Sequence, residues 1–174
     1  MSLEYIMGLV ADEKNHLKTI DKIHHEIHKG DSYSAHLSTT GTSTTVYFIL
    51  QSPNTTTRIH LFPQISADIG GTAAIYRECA VSSSYTQITP FNRDRNSVNT
   101  TTLLCGVAPT SSYITALGTV LDREYFGAAN ARSQFGGSVS ARNEWILKQN
   151  ATYLVSYTST AAANIYITAN WYED

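Results

Sequence analysis

Glu144-Trp145-Ile146-Leu147-Lys148-Gln149-Asn150-Ala151-Thr152-Tyr153-Leu154-Val155-Ser156-Tyr157, followed by Asn164-Ile165-Tyr166-Ile167-Thr168-Ala169-Asn170-Trp171-Tyr172, is the stretch that decides the fold class. In the second run Ile165, Ile167, Ala169 and Trp171 share one face, and Asn164, Tyr166, Thr168, Asn170 and Tyr172 share the other. This is the period-two pattern of a half-buried strand, and its phase puts Trp171 in the core. In the first run Ala151, Tyr153, Val155 and Tyr157 oppose Thr152, Leu154 and Ser156. Small, polar residues from Ser159 to Ala163 leave room for a turn, so the two runs read as an antiparallel pair. Lys148-Gln149-Asn150 reads as a separate tight turn after a strand at about 142–147, with Asn150 suited to a positive φ.

Upstream the same pattern repeats. Tyr33, Ala35 and Leu37 alternate with Ser34, His36 and Ser38, a turn is expected over Thr39 to Ser43, and Thr45 to Gln51 makes the next strand. Arg58 to Ser66 places Ile59, Leu61 and Ile65 together, and Pro63 within it predicts an edge or a bulge. Thr72 to Ala80, Tyr85 to Thr89, Thr101 to Val107 and Tyr113 to Tyr125 complete the strand set. Turns about every ten residues predict an all-β sandwich or barrel. Phe126 to Ser140 is small, Gly-rich and irregular, and reads as a long surface excursion carrying Arg132 and Phe135.

The bulk properties bound the function. A chain of 174 residues is one domain, or one domain with an arm, and buries roughly 70% of its unfolded surface. Charged residues make up 15% of it, against about 25% in an average protein, so its surface is polar but weakly charged. A net charge of −2 argues against direct nucleic-acid binding, which needs clustered Lys and Arg to displace counterions. Cys79 and Cys105 read as two buried thiols rather than a disulfide framework, which fits synthesis in a reducing compartment. The start of the chain lacks the basic and apolar parts of a signal peptide, and no segment approaches a membrane span. The Asn-x-Thr triplets at Asn54, Asn99 and Asn150 follow from a Thr-rich composition.

Residues 1–22 differ from the rest. Ile6, Leu9, Val10, Leu17 and Ile20 are spaced irregularly among charges, which suits either a short helix or an extended arm. Two domains follow from this: an N-terminal arm over 1–22 and a β-sandwich over 23–174. The arm is expected to serve docking more than folding.

The stretch Ile23-His24-His25-Glu26-Ile27-His28-Lys29-Gly30 invites a metal reading, but zinc-protease chemistry needs His-Glu-x-x-His, and His28 follows His25-Glu26 one residue too soon. On a helix His24 and His28 share a face; on a strand His24, Glu26 and His28 do. Read as the start of a strand, the stretch offers two imidazoles and a carboxylate without a fourth ligand, so no structural metal and no cofactor are expected. Arg93, Asp94 and Arg95 form the most charged loop, a solvated or self-paired cluster that is also good interface material. No Gly-x-Ser-x-Gly motif occurs. Glu26, Glu78, Glu124 and Glu144 are explained as strand-face acids beside Lys29, Arg77, Arg123 and Arg142, and the chain is not expected to be an enzyme.

A wider resemblance covers about residues 23–174. His24-His25-Glu26-Ile27-His28-x-Gly30, Ser52-Pro53-Asn54-Thr55-Thr56 with Arg58-Ile59-His60, Asn92-Arg93-Asp94-Arg95-Asn96-Ser97, Asn143-Glu144-Trp145-Ile146-Leu147-Lys148-x-Asn150-x-Thr152-Tyr153 and the terminal Trp171-Tyr172-Glu173 together resemble the small capsid decoration, or cement, proteins of tailed bacteriophages. The resemblance implies a jelly-roll-like antiparallel β-sandwich with a short N-terminal arm or helix. It also implies a homotrimer on the outer capsid surface that bridges major capsid protein subunits, made in the host bacterial cytoplasm, with no membrane and no direct nucleic-acid contact. Candidate interface residues are Tyr5, Ile6, Leu9, Leu17, Arg93, Arg95, Arg132 and Phe135. The alternative is a phage tail or fibre component that binds a host-surface receptor or glycan.

Overall fold

The computed structural model describes residues 9–11, 17–19, 22–42, 45–82, 85–108, 111–125, 133–135 and 144–174. Its first sheet centres on β3 (Ser32–Thr42), β5 (Ile59–Ala67) and β16 (Ala162–Glu173), with β16 in the middle. β9 (Phe91–Asn92) pairs beside β3, and β13 (Ser133–Phe135) and β14 (Trp145–Ile146) pair with different ends of β5. The second sheet contains β4 (Thr45–Gln51), β6 (Gly71–Arg77), β8 (Thr86–Ile88), β10 (Leu104–Ala108), β12 (Thr119–Tyr125) and β15 (Thr152–Ser159), in the order β12–β6–β15–β4–β10–β8. Every described ladder in the two sheets is antiparallel. The chain alternates between the sheets from β3 to β6 and again from β14 to β16. The four-strand motifs β3–β16–β5–β14 and β4–β15–β6–β12 therefore make an all-β sandwich of the jelly-roll type.

The expected pairing of the last two strands is corrected by this topology. β15 bonds to β4 and β6, and β16 bonds to β3 and β5, so the two runs are central strands of opposite sheets. Only Thr160 and Ala161 separate them, and Thr160 is held at the crossing by its backbone N–H and hydroxyl, both donating to Gly70 O. Period-two alternation says that a run is a strand but does not name its partner.

The expected phase of β16 holds. Ile165, Ile167 and Ala169 are fully buried and Trp171 is 1% exposed, stacked against Tyr33 with ring centroids 5.8 Å apart. They meet Phe48, Leu50, Ile75, Val155 and Tyr157 of the second sheet in the main core. β15 departs from simple alternation because Leu154 and Ser156, on its other face, are buried as well. Leu154 joins Tyr47, Ile49, Ala74 and Tyr76 in a second apolar cluster on the outside of the second sheet. The cover includes Val81 and Ile114 from an added ribbon, β7 (Ala80–Val81) with β11 (Ile114–Ala116).

Other boundaries shift for local reasons. The strand expected over Tyr113–Tyr125 is broken: a 3₁₀ turn at Ser111–Tyr113 leads into β11, and Gly118, at φ 71°, separates β11 from β12. A Cβ at Gly118 would lie 2.1 Å from the Arg77 carbonyl oxygen, so no other residue fits without a shift. Glu78, at φ 57°, ends the strand expected to run to Ala80. β3 continues through the expected turn to Thr42, and β13 lies within the expected irregular excursion. Pro63 sits where, among the described residues, pairing with β14 ends at Leu61 and pairing with β13 begins at Ile65, so its missing N–H falls at a gap in the ladder. Asn150 has φ 50°, as its turn position predicts. Cys79 and Cys105 are free, buried thiols.

Within the expected N-terminal arm, β1 (Leu9–Ala11) and β2 (Leu17–Thr19) pair as an antiparallel ribbon that joins neither large sheet. This differs from both a helix and a simple extended arm. The stretch from Ile23, expected to start a strand, is instead α1 (Lys22–Lys29), the helical one of its two readings.

Candidate functional site

The chemistry-bearing side chains gather where α1, the end of β16 and the Arg93–Arg95 loop meet. α1 ends on a cap specified by Gly30. Gly30 N–H donates to Ile27 O and Asp31 N–H donates to Glu26 O, both at 3.0 Å, and Gly30 adopts φ 81°. This is a Schellman motif, with His28 and Lys29 placed favourably at the negative end of the helix. Glu26 is the buried residue of α1, paired with Lys29 (3.4 Å) and His25 (3.3 Å). His24 and His28 stand one turn apart on the exposed side, with their Nε2 atoms 3.0 Å apart.

Beneath the helix lies a second cluster. His60 is buried and stacked on Tyr172, ring centroids 4.4 Å apart and nearly parallel. Its Nδ1 faces Glu144 Oε1 at 2.5 Å and its Nε2 faces Asp174 Oδ1 at 3.1 Å. Tyr172 O–H donates to Glu144 Oε1 at 2.9 Å, and Lys22 Nζ–H donates to Asp174 Oδ2 at 2.7 Å. Burial alone would raise the Asp174 carboxyl, but the hydrogen bonds and charges of Lys22 and His60 outweigh it and hold it below its ordinary value. Burial, with the hydrogen bond to Glu144, pushes the Tyr172 phenol well up.

On the other side of the strand end, Glu173 is 8% exposed and saturated with donors. Thr101 and Thr102 donate to it through their hydroxyls, Thr102 through its backbone N–H, and Trp171 through Nε1–H at 3.2 Å. Its charge adds to the burial that pushes Tyr33 up to about 12. An open hollow of about 540 Å³ lies here, with Lys29, Asp31, Tyr33, Asn99, Glu173 and Asp174 in its lining. Lys29 bonds Asp31 at 2.8 Å, which holds the ammonium above its ordinary value, so the cation and a carboxylate of this hollow already pair with each other.

The expected interface residues separate under this description. Arg93 and Arg95 are exposed on a rigid loop: Asn92 Oδ1 accepts from Asp94 N–H and Asp94 Oδ1 accepts from Asn96 N–H, both at 2.9 Å. The Arg95 guanidinium lies 5.7 Å from the centroid of the Phe91 ring, which is 49% exposed. Leu9 and Leu17 fall in the β1–β2 ribbon and Phe135 falls in β13. Tyr5, Ile6 and Arg132 lie outside the described residues, as does Arg142. Of the expected acid pairs, Glu26 has Lys29, whereas Glu78 bonds Lys148 at 3.2 Å and Glu144 bonds His60. The reading of strand-face acids misses His60 and Asp174, which come together from 114 residues apart.

Comparison with protein-family models, with curated proteins and with solved structures finds no match. The feature without a local structural explanation is the outer face of the first sheet. Along it Thr40, Ser38, His36 and Ser34 run beside Asn164, Tyr166, Thr168 and Asn170, with Ser66 and Gln64 beyond. The six described strands of this sheet contain one Asp, Glu, Lys or Arg, the buried Glu173. The second sheet, by contrast, ends in β12 with Asp122, Arg123 and Glu124 in succession.

Proposed function

We propose that this chain is a non-enzymatic structural protein of a bacteriophage virion. In this reading it decorates the outer capsid as a homotrimer, stabilises the shell by bridging major capsid protein subunits, and turns the outer face of its first sheet into a protein contact. The uncharged polar character of that face is the observation that supports the reading. Interface centres are depleted in charged residues, and covering Ser, Thr, Asn and Gln desolvates no ion, provided that their hydrogen bonds are replaced. An ordinary solvent-facing surface carries about 25–35% charged residues. The sequence resemblance points the same way. Lys22, His60, Glu144 and Asp174 are engaged in bonds that tie α1 to the end of β16, and the two free thiols suit synthesis in a reducing cytoplasm.

The test places a charge on the face. Thr168→Lys, at the centre of β16, is expected to leave melting nearly unchanged, to reduce the parent's oligomer to monomer in light scattering, and to abolish binding to phage particles that lack their decoration. A variant that assembles and binds as the parent does removes the face from the contact, and absence of the parent from mapped particles removes the virion role.

One observation favours the tail or fibre reading. Tyr166 is 52% exposed, in a setting of Ser38, Ser66, Asn164 and Thr168, which suits an aromatic platform for a host-surface glycan. Glycan binding that is lost in Tyr166→Ala, with no oligomer in the parent, would decide for that reading.

A further inference from the structure

The expectation that His24 to His28 hold no structural metal rests on strand geometry, which spreads the side chains along one side of an extended chain. The helix changes the geometry. It stacks His24 and His28 on one exposed side of α1, with the two Nε2 atoms 3.0 Å apart and the rings edge-on at 4.5 Å between centroids. We propose that His24 and His28 form an open, exchangeable two-imidazole site for a divalent transition metal of the nickel or copper kind, with water in the remaining positions.

The separation of the nitrogens argues for this class. With metal–nitrogen bonds of about 2.05 Å, nitrogens 3.0 Å apart subtend an angle of about 94° at the metal. That is close to the right angle of square-planar or octahedral coordination, which Cu(II) and Ni(II) favour with nitrogen ligands. Tetrahedral zinc would need the nitrogens to open by about 0.3 Å. In the absence of metal the same pair is satisfied by one N–H···N bond, so the site is stable in both states. Among the described residues no third His, Cys, Asp or Glu joins the pair. The site is therefore incomplete as a structural centre, and both rings are exposed to an entering ion. His25 points elsewhere, to Glu26, and supplies an internal control.

The experiment titrates the full, tag-free chain with Ni²⁺ and with Zn²⁺ by calorimetry, and follows the imidazole nitrogens by NMR. One Ni²⁺ per chain is expected, bound at least several-fold more tightly than Zn²⁺; in the spectra with diamagnetic Zn²⁺ the ring-nitrogen resonances of His24 and His28 should shift and those of His25, His36 and His60 should stay near their metal-free positions. His24→Ala and His28→Ala should each weaken Ni²⁺ at least tenfold, with circular dichroism unchanged, whereas His25→Ala should bind as the parent does. No nickel uptake at millimolar metal, an equal loss in His25→Ala, or one metal per two chains with a doubled mass would each overturn the open site.

Discussion

The two outer faces of the sandwich solve the same problem in opposite ways. The second sheet covers its outer face with its own chain: Leu154 and Ile49 are fully buried, beneath a cover that includes the β7–β11 ribbon. The first sheet covers the end of its outer face with α1, over Tyr172, and leaves Tyr166, Ser38 and His36 exposed. A face sealed internally contributes to folding. A face left polar, uncharged and open contributes little to folding and is available for contact, so substitutions at matching positions on the two faces should separate stability from assembly.

The shared core sets the upper limit of that comparison. Trp171 is buried between the sheets and bonds Thr101 Oγ1 at 3.1 Å, and its truncation should cost about 3 to 5 kcal/mol. Trp171→Ala should unfold the domain or lower its melting temperature steeply, in calorimetry and near-ultraviolet circular dichroism alike. Next comes the contrast itself. Leu154→Ala, on the sealed face, should cost about 2 to 5 kcal/mol, whereas Thr168→Ala on the open face should change stability by no more than about 0.5 kcal/mol. Comparable losses in urea unfolding would erase the distinction between the faces.

The same contrast explains which parts of the fold are legible in the sequence. Where one side of a strand meets solvent, as from Asn164 to Thr168, alternation gives the strand and its inward side directly. At β15 the pattern suggests an outward face containing Leu154, but that face is buried by residues about 40 and 70 positions upstream, Ile114 and Val81. Periodicity cannot see a cover supplied from elsewhere in the chain. The His24–His28 pairing is open to either reading because eight residues are too short for a period to decide, although Gly30 carries the signal of a helix cap. His60, Glu144 and Asp174 leave no local trace, since their cluster is closed by contacts 84 and 114 residues apart.

A smaller effect should appear at alkaline pH, and it concerns the thiols. Burial pushes Cys79 up to about 11, although a backbone hydrogen bond at Leu154 opposes it, and burial with the charge of Glu173 pushes Cys105 up to about 12. A raised folded value gives stability that is complete below the unfolded thiol value of about 8.5 and is lost as pH rises through the folded one. Stability should fall gradually from about pH 8.5 upward, as the unfolded thiols ionise before the folded ones. Denaturant unfolding of a Cys79→Ala, Cys105→Ala variant should show a flatter profile between pH 8.5 and 10. An unchanged slope would assign the alkaline loss to the tyrosines instead.

The smallest effect belongs to the partly exposed end of the open face, where Asp174 joins Lys22 of α1 to His60 of β5. Its folded value lies below the ordinary one, so the stability it contributes is complete above the unfolded carboxylate value of about 3.9 and is lost as pH falls through the lower folded value. Asp174→Asn keeps the size of the side chain but removes the charge that faces Lys22 and His60. The variant should therefore be slightly less stable than the parent at pH 6, and the gap should narrow from about pH 4 downward and close only as the pH falls through the lower folded value. Paired urea titrations at pH 6 and pH 3 measure it. A gap as wide at pH 3 as at pH 6 would mean that the amide disturbs the packing of the chain end under α1, and that the charge of Asp174 is not what fastens the helix to the sheet.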